Sequence, residues 1–141
     1  MCWLAWISFN DKKALESLCS PVKIRAKDSE SFYFSEDLSF YHAHLQISDL
    51  DKDTSQPLVR DNLVIWLVWE IYNKQQILDT LCIPWFEDDY TELEVIFFAY
   101  KKVGEKFIEY LNGEFTVFIH DTSLWKYFLY RDAWGTKSLY Y

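Results

Sequence analysis

The chain has 141 residues, half of them apolar and a fifth aromatic, which is enough to bury one sizeable core. A formal net charge of −8 argues against nucleic acid as a partner, because surfaces that follow phosphates cluster Lys and Arg. The cysteines, Cys2, Cys19 and Cys82, form no C-x-x-C pair. The sequence therefore predicts neither a disulfide framework nor a zinc site, and it favours a cytoplasmic protein.

We do not expect a membrane partner either. The longest apolar run, residues 63–69, is far shorter than the roughly 20 residues that a membrane-spanning helix requires. The apolar residues 3–7 have no basic flank and are followed by polar and acidic residues, which does not fit a signal peptide.

The first half of the chain predicts strands and one short helix. Alternating, β-branched or aromatic patterns predict strands at residues 2–9, 31–35, 39–47 and 63–69. Asp11 is placed to cap a helix that ends near Leu18. Residues 49–56 are polar and turn-forming, and they predict a loop.

The second half begins with helices and ends with strands. Asn73 is placed to cap a helix, and Thr91 with Glu94 has the spacing of a capping box. The remaining predicted elements are a helical turn at residues 105–111 and strands at 115–119 and 126–131. Because strands and helices are grouped rather than alternating, we predict an α+β fold with mostly antiparallel sheets.

The start of the chain carries a candidate nucleophile. Removal of Met1 would leave Cys2 with a thiol and a free α-amine on the same residue. With reference pKa values of about 8.5 and about 8, the amine can take the thiol proton directly or through one water. The dipeptide alone leaves open that a cysteine at position two is accidental.

Several segments, read in order, resemble the glutaminase domain of asparagine synthases, a class II glutamine amidotransferase of the N-terminal-nucleophile group. These segments are Met1-Cys2, Arg25-Ala26-Lys27-Asp28, Leu45-Gln46-Ile47-Ser48-Asp49-Leu50, Gln56-Pro57-Leu58, Glu70-Ile71-Tyr72-Asn73, Thr91-Glu92-Leu93-Glu94-Val95, Ala99-Tyr100, Leu111-Asn112-Gly113-Glu114-Phe115 and residues 131–141. The resemblance implies one domain over residues 1–141, folded as a four-layer αββα sandwich with Cys2 at a strand end. Because the family continues through further strands beyond the position of Tyr141, we expect a fragment or a shortened relative.

The same resemblance implies the site. Cys2 would be the catalytic nucleophile, and the substrate-binding residues would be His44, Ile47, Ser48, Val68, Trp69, Glu70 and Glu92. His44 stands where the family has an Arg that clamps the α-carboxylate of glutamine. Val68, Trp69 and Glu70 stand where the family has Asn-Gly-Glu, which supplies an oxyanion amide, a backbone donor and a carboxylate for the substrate amine. Glu92 replaces an Asp that also contacts this amine, and Trp3 replaces the glycine after the nucleophile.

Two functions follow from the resemblance. The first is hydrolysis of glutamine to glutamate and ammonia, with the ammonia used by an ATP-dependent synthetase domain or partner protein. No Ser-Gly-Gly-x-Asp phosphate loop of such a synthetase occurs in this sequence. The second is a degenerate glutaminase fold that serves as a docking or regulatory module. We expect no cofactor under either function.

Two residue pairs keep alternative interpretations. Glu70 and Glu92 could together bind an ammonium group, or they could be solvated residues near helix starts. His42 and His44 lie at strand spacing on one face, but with no third ligand in view we expect two strand histidines and no metal site.

Overall fold

The structure, a computed structural model, describes residues 3–21, 23, 29–44, 55–84 and 90–140. The chain divides into two compact units, residues 1–57 and 58–141, and each contains one antiparallel sheet. The predicted α+β class with two mostly antiparallel sheets is confirmed.

Among its described residues, the first unit has a three-stranded sheet and an α-helix. Its elements are β1 (Trp3–Ile7), α1 (Lys12–Cys19), β2 (Ser29–Phe34) and β3 (Ser39–His44), and the strand order is β1-β3-β2. Asp11 caps α1 as predicted, because its carboxylate accepts a hydrogen bond from Ala14 N (3.0 Å). The helix buries Leu15 and Cys19 against Tyr41 and Ala43 on one face of the sheet.

The described part of the second unit has a four-stranded sheet, two α-helices and a 3₁₀ helix. Its elements are β4 (Leu58–Arg60), β5 (Leu63–Ile71), α2 (Lys74–Thr80), α3 (Glu92–Val103), the 3₁₀ helix (Gly104–Tyr110), β6 (Gly113–Asp121) and β7 (Lys126–Arg131). The strand order is β4-β5-β6-β7, and all neighbours are antiparallel. The sequence does not reveal β4, because three residues are too short for an alternating pattern.

Both faces of this second sheet are buried over β5 and β6. One face packs against the helices in a single apolar core. The opposite face carries the buried residues Val64, Trp66, Val68, Thr116, Phe118 and His120. This double burial explains why residues 63–69 are continuously apolar in the sequence instead of alternating.

Helix starts match the sequence pattern with one exception. Thr91 and Glu94 form the predicted capping box, with Thr91 N donating to Glu94 Oε2 (2.9 Å) and Glu94 N to Thr91 Oγ1 (3.3 Å). Asn73 does precede α2, but its side chain makes no capping hydrogen bond. In the part of the chain that the structure describes, no helix combines the length and apolar character needed to cross a membrane.

Candidate functional site

Three of the predicted site residues, Val68, Trp69 and Glu70, are consecutive near the end of β5. Val68 is buried, at 8% exposure, whereas Glu70 is exposed. Trp69 belongs to the same regular strand, and the non-glycine residues with positive φ are elsewhere in the described chain, at Asp61, Cys82 and Trp125. The strand therefore passes through Trp69 without a turn of the kind that a glycine permits.

Two hydrogen bonds establish which way the β5 peptide groups point. Tyr72 N donates to Asn112 O (2.8 Å), so the Tyr72 N–H points toward β6. Phe115 O, on β6, accepts from Asp132 N (2.9 Å), so the Phe115 carbonyl points toward the β7 side and away from β5. Because peptide groups alternate along an antiparallel strand, Trp69, which pairs with Phe115, directs its N–H away from β6. On that side the described pairing of β4 with β5 ends at Leu58 opposite Ile65. The Trp69 N–H thus lies on an edge of β5 that β4 does not reach.

Glu92 reaches the same edge from α3. It is the first residue of that helix, and the capping box at Thr91 and Glu94 fixes the direction in which the helix starts. Glu92 Oε1 accepts a hydrogen bond from Ile71 N (2.7 Å). Its carboxylate therefore lies beside the peptide that joins Glu70 to Ile71.

The chain beyond Glu70 is held against the start of β6. Asn73 Nδ2 donates to Tyr110 O (2.9 Å), and Asn73 Oδ1 accepts from Asn112 N (2.8 Å). At Gly113, a Cβ would collide with the Glu70 carbonyl oxygen and lie 3.1 Å from Ile71 Cα. Glycine therefore permits the close approach of β6 to the end of β5 and so positions Glu70.

The local charge at this strand end is negative. Glu114 pairs with Glu70 across the strands and forms an ion pair with Lys137 (3.4 Å). Desolvation, followed by the charges of Glu114 and Glu70, raises the pKa of Tyr72. Within the described part of the chain, the Glu70 side chain forms no hydrogen bond or ion pair, although its backbone pairs with Glu114. Its carboxylate is available to a cation.

His44 belongs to the first unit, and the other predicted site residues of this unit, Cys2, Ile47 and Ser48, lie outside the described residues. His44 ends β3 next to Ala43, and Ala43 pairs with Trp3, the residue that follows Cys2 in the sequence. The rings of His42 and His44 are 5.4 Å apart, which confirms that they share one face of the strand. His42 is 2% exposed, and burial lowers its pKa to about 3, with a smaller contribution from His44.

His42 and His44 are the pair from which a metal site could have been built. Over residues 3–21, 23, 29–44, 55–84 and 90–140, no three His, Cys, Asp or Glu side chains form a group that could hold a metal ion. A buried His42 with a pKa of about 3 is neutral at physiological pH.

The turn after β7 is organised by one buried carboxylate. Asp132 is 3% exposed, and it accepts hydrogen bonds from Trp134 N (3.1 Å), Thr136 N (3.0 Å) and Thr136 Oγ1 (3.2 Å). Longer bonds come from Phe115 N and Lys137 N (both 3.4 Å). These bonds outweigh the effect of burial and lower the pKa of Asp132. Among the described residues the carboxylate is thus held by backbone amides and one hydroxyl, and Asp132 secures the end of β7 to β6.

A sequence profile of the glutamine amidotransferase domain matches residues 1–141. The chain belongs to this family. It is 29% identical over 129 residues to the glutamine-hydrolyzing asparagine synthetase 2 of Bacillus subtilis strain 168, covering 90% of this chain and 17% of that protein. The Escherichia coli K12 protein named asparagine synthetase B, glutamine-hydrolyzing, is 30% identical over 131 residues, which are 92% of this chain and 23% of the relative. An amidase of Gibberella zeae, chry2, is 28% identical over 131 residues, 90% of this chain and 20% of the amidase.

This glutamine amidotransferase domain therefore spans about a fifth of the length of these relatives. It is homologous to the N-terminal domains of the asparagine synthetases. The sequence interpretation did not identify three features of the site. These are the approach permitted by Gly113, the two side-chain bonds of Asn73 and the Glu92 bond to the β5 backbone. The Asn112-Gly113 dipeptide is the signal that could have indicated the first of them.

Proposed function

We propose that this domain hydrolyses glutamine to glutamate and ammonia, with Cys2 as the nucleophile. In this reaction the Cys2 thiolate attacks the side-chain amide carbon, and its α-amine holds the proton that the departing ammonia requires. Water then cleaves the glutamyl thioester, releasing glutamate and regenerating the thiol. Two displacements replace one difficult step. The family assignment supports this chemistry for the chain as a whole.

The observation that carries the proposal is the pair of carboxylates at the end of β5. Glu70 is exposed without a cationic side-chain partner in the described residues, and the Glu92 carboxylate is anchored at 2.7 Å by the N–H of the next residue, Ile71. A free amino acid carries an ammonium group, and two neighbouring carboxylates stabilise such a cation. We assign Glu70 and Glu92 to the α-amine of glutamine. His44 takes the α-carboxylate, together with Ile47 and Ser48 in the segment that follows it.

The ammonia would serve amide-bond synthesis by an ATP-dependent synthetase, as a further domain or a separate partner. The names of the relatives from Bacillus subtilis and Escherichia coli motivate this assignment.

The test is to incubate the Met1-processed protein with glutamine and to measure glutamate release, and to map the adduct of an electrophilic glutamine analogue by mass spectrometry. We expect turnover and an adduct on Cys2, both abolished in Cys2→Ala. Cys82→Ser is the matched control, because Cys82 is the exposed cysteine of the described chain, and it should change neither result. Labelling of Cys82 alone, or no glutamate release, would contradict the proposal.

A second experiment addresses the carboxylates. Glu70→Gln removes one charge without changing the size of the side chain. If it contacts the substrate ammonium, KM for glutamine should rise about 10-fold to 100-fold, since a charged hydrogen bond contributes about 1.5–3 kcal/mol. Glu109→Gln, at an exposed position on the 3₁₀ helix, is the control and should leave KM unchanged.

One observation favours a second candidate function, a catalytically inactive docking or regulatory module. Val68 occupies the position of the family's oxyanion amide, and a buried valine side chain cannot donate a hydrogen bond. Under this alternative the protein would release no glutamate but would still bind a synthetase, and the glutaminase assay above separates the two functions.

A further inference from the structure

Thr116, on β6, buries a hydroxyl that has no structural partner. The residue is 6% exposed, and its Oγ1 finds no hydrogen-bond partner in the part of the chain that the structure describes. A buried hydroxyl without a partner is unfavourable relative to an apolar group of the same shape. Valine would fill the same volume in this strand and has a comparable strand preference. The hydroxyl thus destabilises the fold, and packing alone does not explain why threonine stands here.

The position of Thr116 suggests a use for this hydroxyl. It pairs directly with Val68 across β5 and β6. Because Tyr72 N donates to Asn112 O, alternate residues of the two strands form the hydrogen-bonded pairs, and Val68 with Thr116 is one of them. Paired residues direct their side chains to the same face, with Cβ atoms about 5 Å apart. The Thr116 hydroxyl is therefore the cross-strand neighbour of the position that lacks a donor.

The side chains on this face of the sheet change from apolar to acidic along β5 and β6. On one side of the pair lie Trp66 and Phe118, both buried, and on the other lie Glu70 and Glu114. The small polar side chain of Thr116 lies at this boundary, one pair along the strands from Glu70, which is assigned to the substrate amine, yet it is only 6% exposed. A donor in such a dry environment stabilises developing negative charge more strongly than one in water.

We propose that the Thr116 hydroxyl donates a hydrogen bond to the amide oxygen of glutamine and to the oxyanion formed from it. This inference rests on the proposed function and assigns to Thr116 the role that Val68 cannot perform. No proton is transferred: the hydroxyl keeps its hydrogen, and the bond shortens as charge develops on the oxygen. Thr116 would then be a catalytic residue in a sheet whose other buried residues on this face are largely apolar.

The test compares Thr116→Val, which removes the hydroxyl at constant shape, with Thr116→Ser, which retains it. We expect Thr116→Val to lower kcat for glutamine hydrolysis about 100-fold with little change in KM, the effect of removing one oxyanion donor. Its Tm should equal or exceed that of the parent protein, because a buried hydroxyl without a partner is gone. Thr116→Ser should keep most of the parent kcat.

Thr122→Val is the matched control. The Thr122 hydroxyl donates to Asn62 O (3.0 Å) in an exposed turn, so its loss should lower Tm slightly and leave kcat unchanged. A parent protein without glutaminase activity would refute the proposed function and this inference together. An active parent protein whose Thr116→Val variant has the same kcat would refute only the role of Thr116. A fall in Tm for Thr116→Val that parallels its loss of kcat would show a structural role instead.

Discussion

Replacement of Asp132 should destabilise the second unit through loss of the turn that follows β7. Its carboxylate accepts three hydrogen bonds of 3.0–3.2 Å, from Trp134 N, Thr136 N and Thr136 Oγ1. Two weaker ones come at 3.4 Å from Phe115 N and Lys137 N. If each short bond contributes about 1 kcal/mol net, Asp132→Ala should lower the free energy of unfolding by about 3 kcal/mol. That loss corresponds to a fall in Tm on the order of 10 °C.

The isosteric change Asp132→Asn separates charge from shape. Its amide keeps one oxygen for the three short bonds but presents an NH₂ group to the N–H groups of Phe115 and Lys137. We therefore expect a smaller loss, about 1–2 kcal/mol. Urea denaturation at pH 7 measures both variants, and Gln76→Ala at an exposed position of α2 is the control, with an expected change below about 0.5 kcal/mol.

The pH dependence of Asp132 has a definite sign. Its pKa is lowered in the folded protein, so the carboxylate contributes stability above its unfolded pKa, and this contribution is lost as the pH falls through the lower folded value. The difference between the parent protein and Asp132→Asn should therefore shrink at acidic pH, below about 4. A variant Asp132→Ala within 0.5 kcal/mol of the parent protein at pH 7 would refute the reasoning.

Three further predictions concern the interior and the strand ends. Burial holds the pKa of His42 at about 3 in the folded protein, whereas a histidine in the unfolded chain has a pKa of about 6.5. Between these values the unfolded chain binds more protons, so the free energy of unfolding should fall by about 2 kcal/mol between pH 7 and pH 5. His42→Gln should flatten this slope in urea denaturation, and an unchanged slope would exclude His42 as its origin. Gly113→Ala should lower the free energy of unfolding by more than about 2 kcal/mol, because the new Cβ meets the Glu70 carbonyl oxygen. Gly104→Ala, where no atom lies within 4 Å but φ is +61°, should cost only about 1 kcal/mol, and equal losses would contradict the close approach. Trp66→Ala should cost about 3–5 kcal/mol, since Trp66 is 1% exposed and packs edge-on against Phe118. Trp125→Ala, at 77% exposure, should change thermal unfolding little, and a comparable loss there would contradict the assigned core.

Local patterns in the sequence predicted most of the elements. The cap at Asp11 and the box at Thr91 and Glu94 depend on residues three positions apart, so sequence spacing alone reveals them. The strand predicted at residues 126–131 coincides with β7, whereas the turn predicted at 105–111 is a 3₁₀ helix at Gly104–Tyr110. The predicted stacking of the sheets into four layers stays a prediction.

The site depends on contacts between distant residues, which spacing does not encode. Glu92 could be named from the family resemblance, but its bond to Ile71 N requires α3 to start at the edge of β5, 21 residues away in sequence. Asn73 has the spacing of a helix cap, yet its side chain bonds to Tyr110 O and Asn112 N, 37 and 39 residues away in sequence, and not to the helix amides.

The sequence by itself determined the α+β class, the family and the candidate nucleophile at Cys2, because periodicity, capping and motif order are local properties of the chain. Only the tertiary structure decided which groups stand together. The register of β5 and β6 places Thr116 opposite Val68 and directs the Trp69 N–H to the strand edge, and the start of α3 places the Glu92 carboxylate at Ile71 N. Register is a property of two strands at once, and a shift of one residue in β6 would turn the Thr116 side chain to the other face.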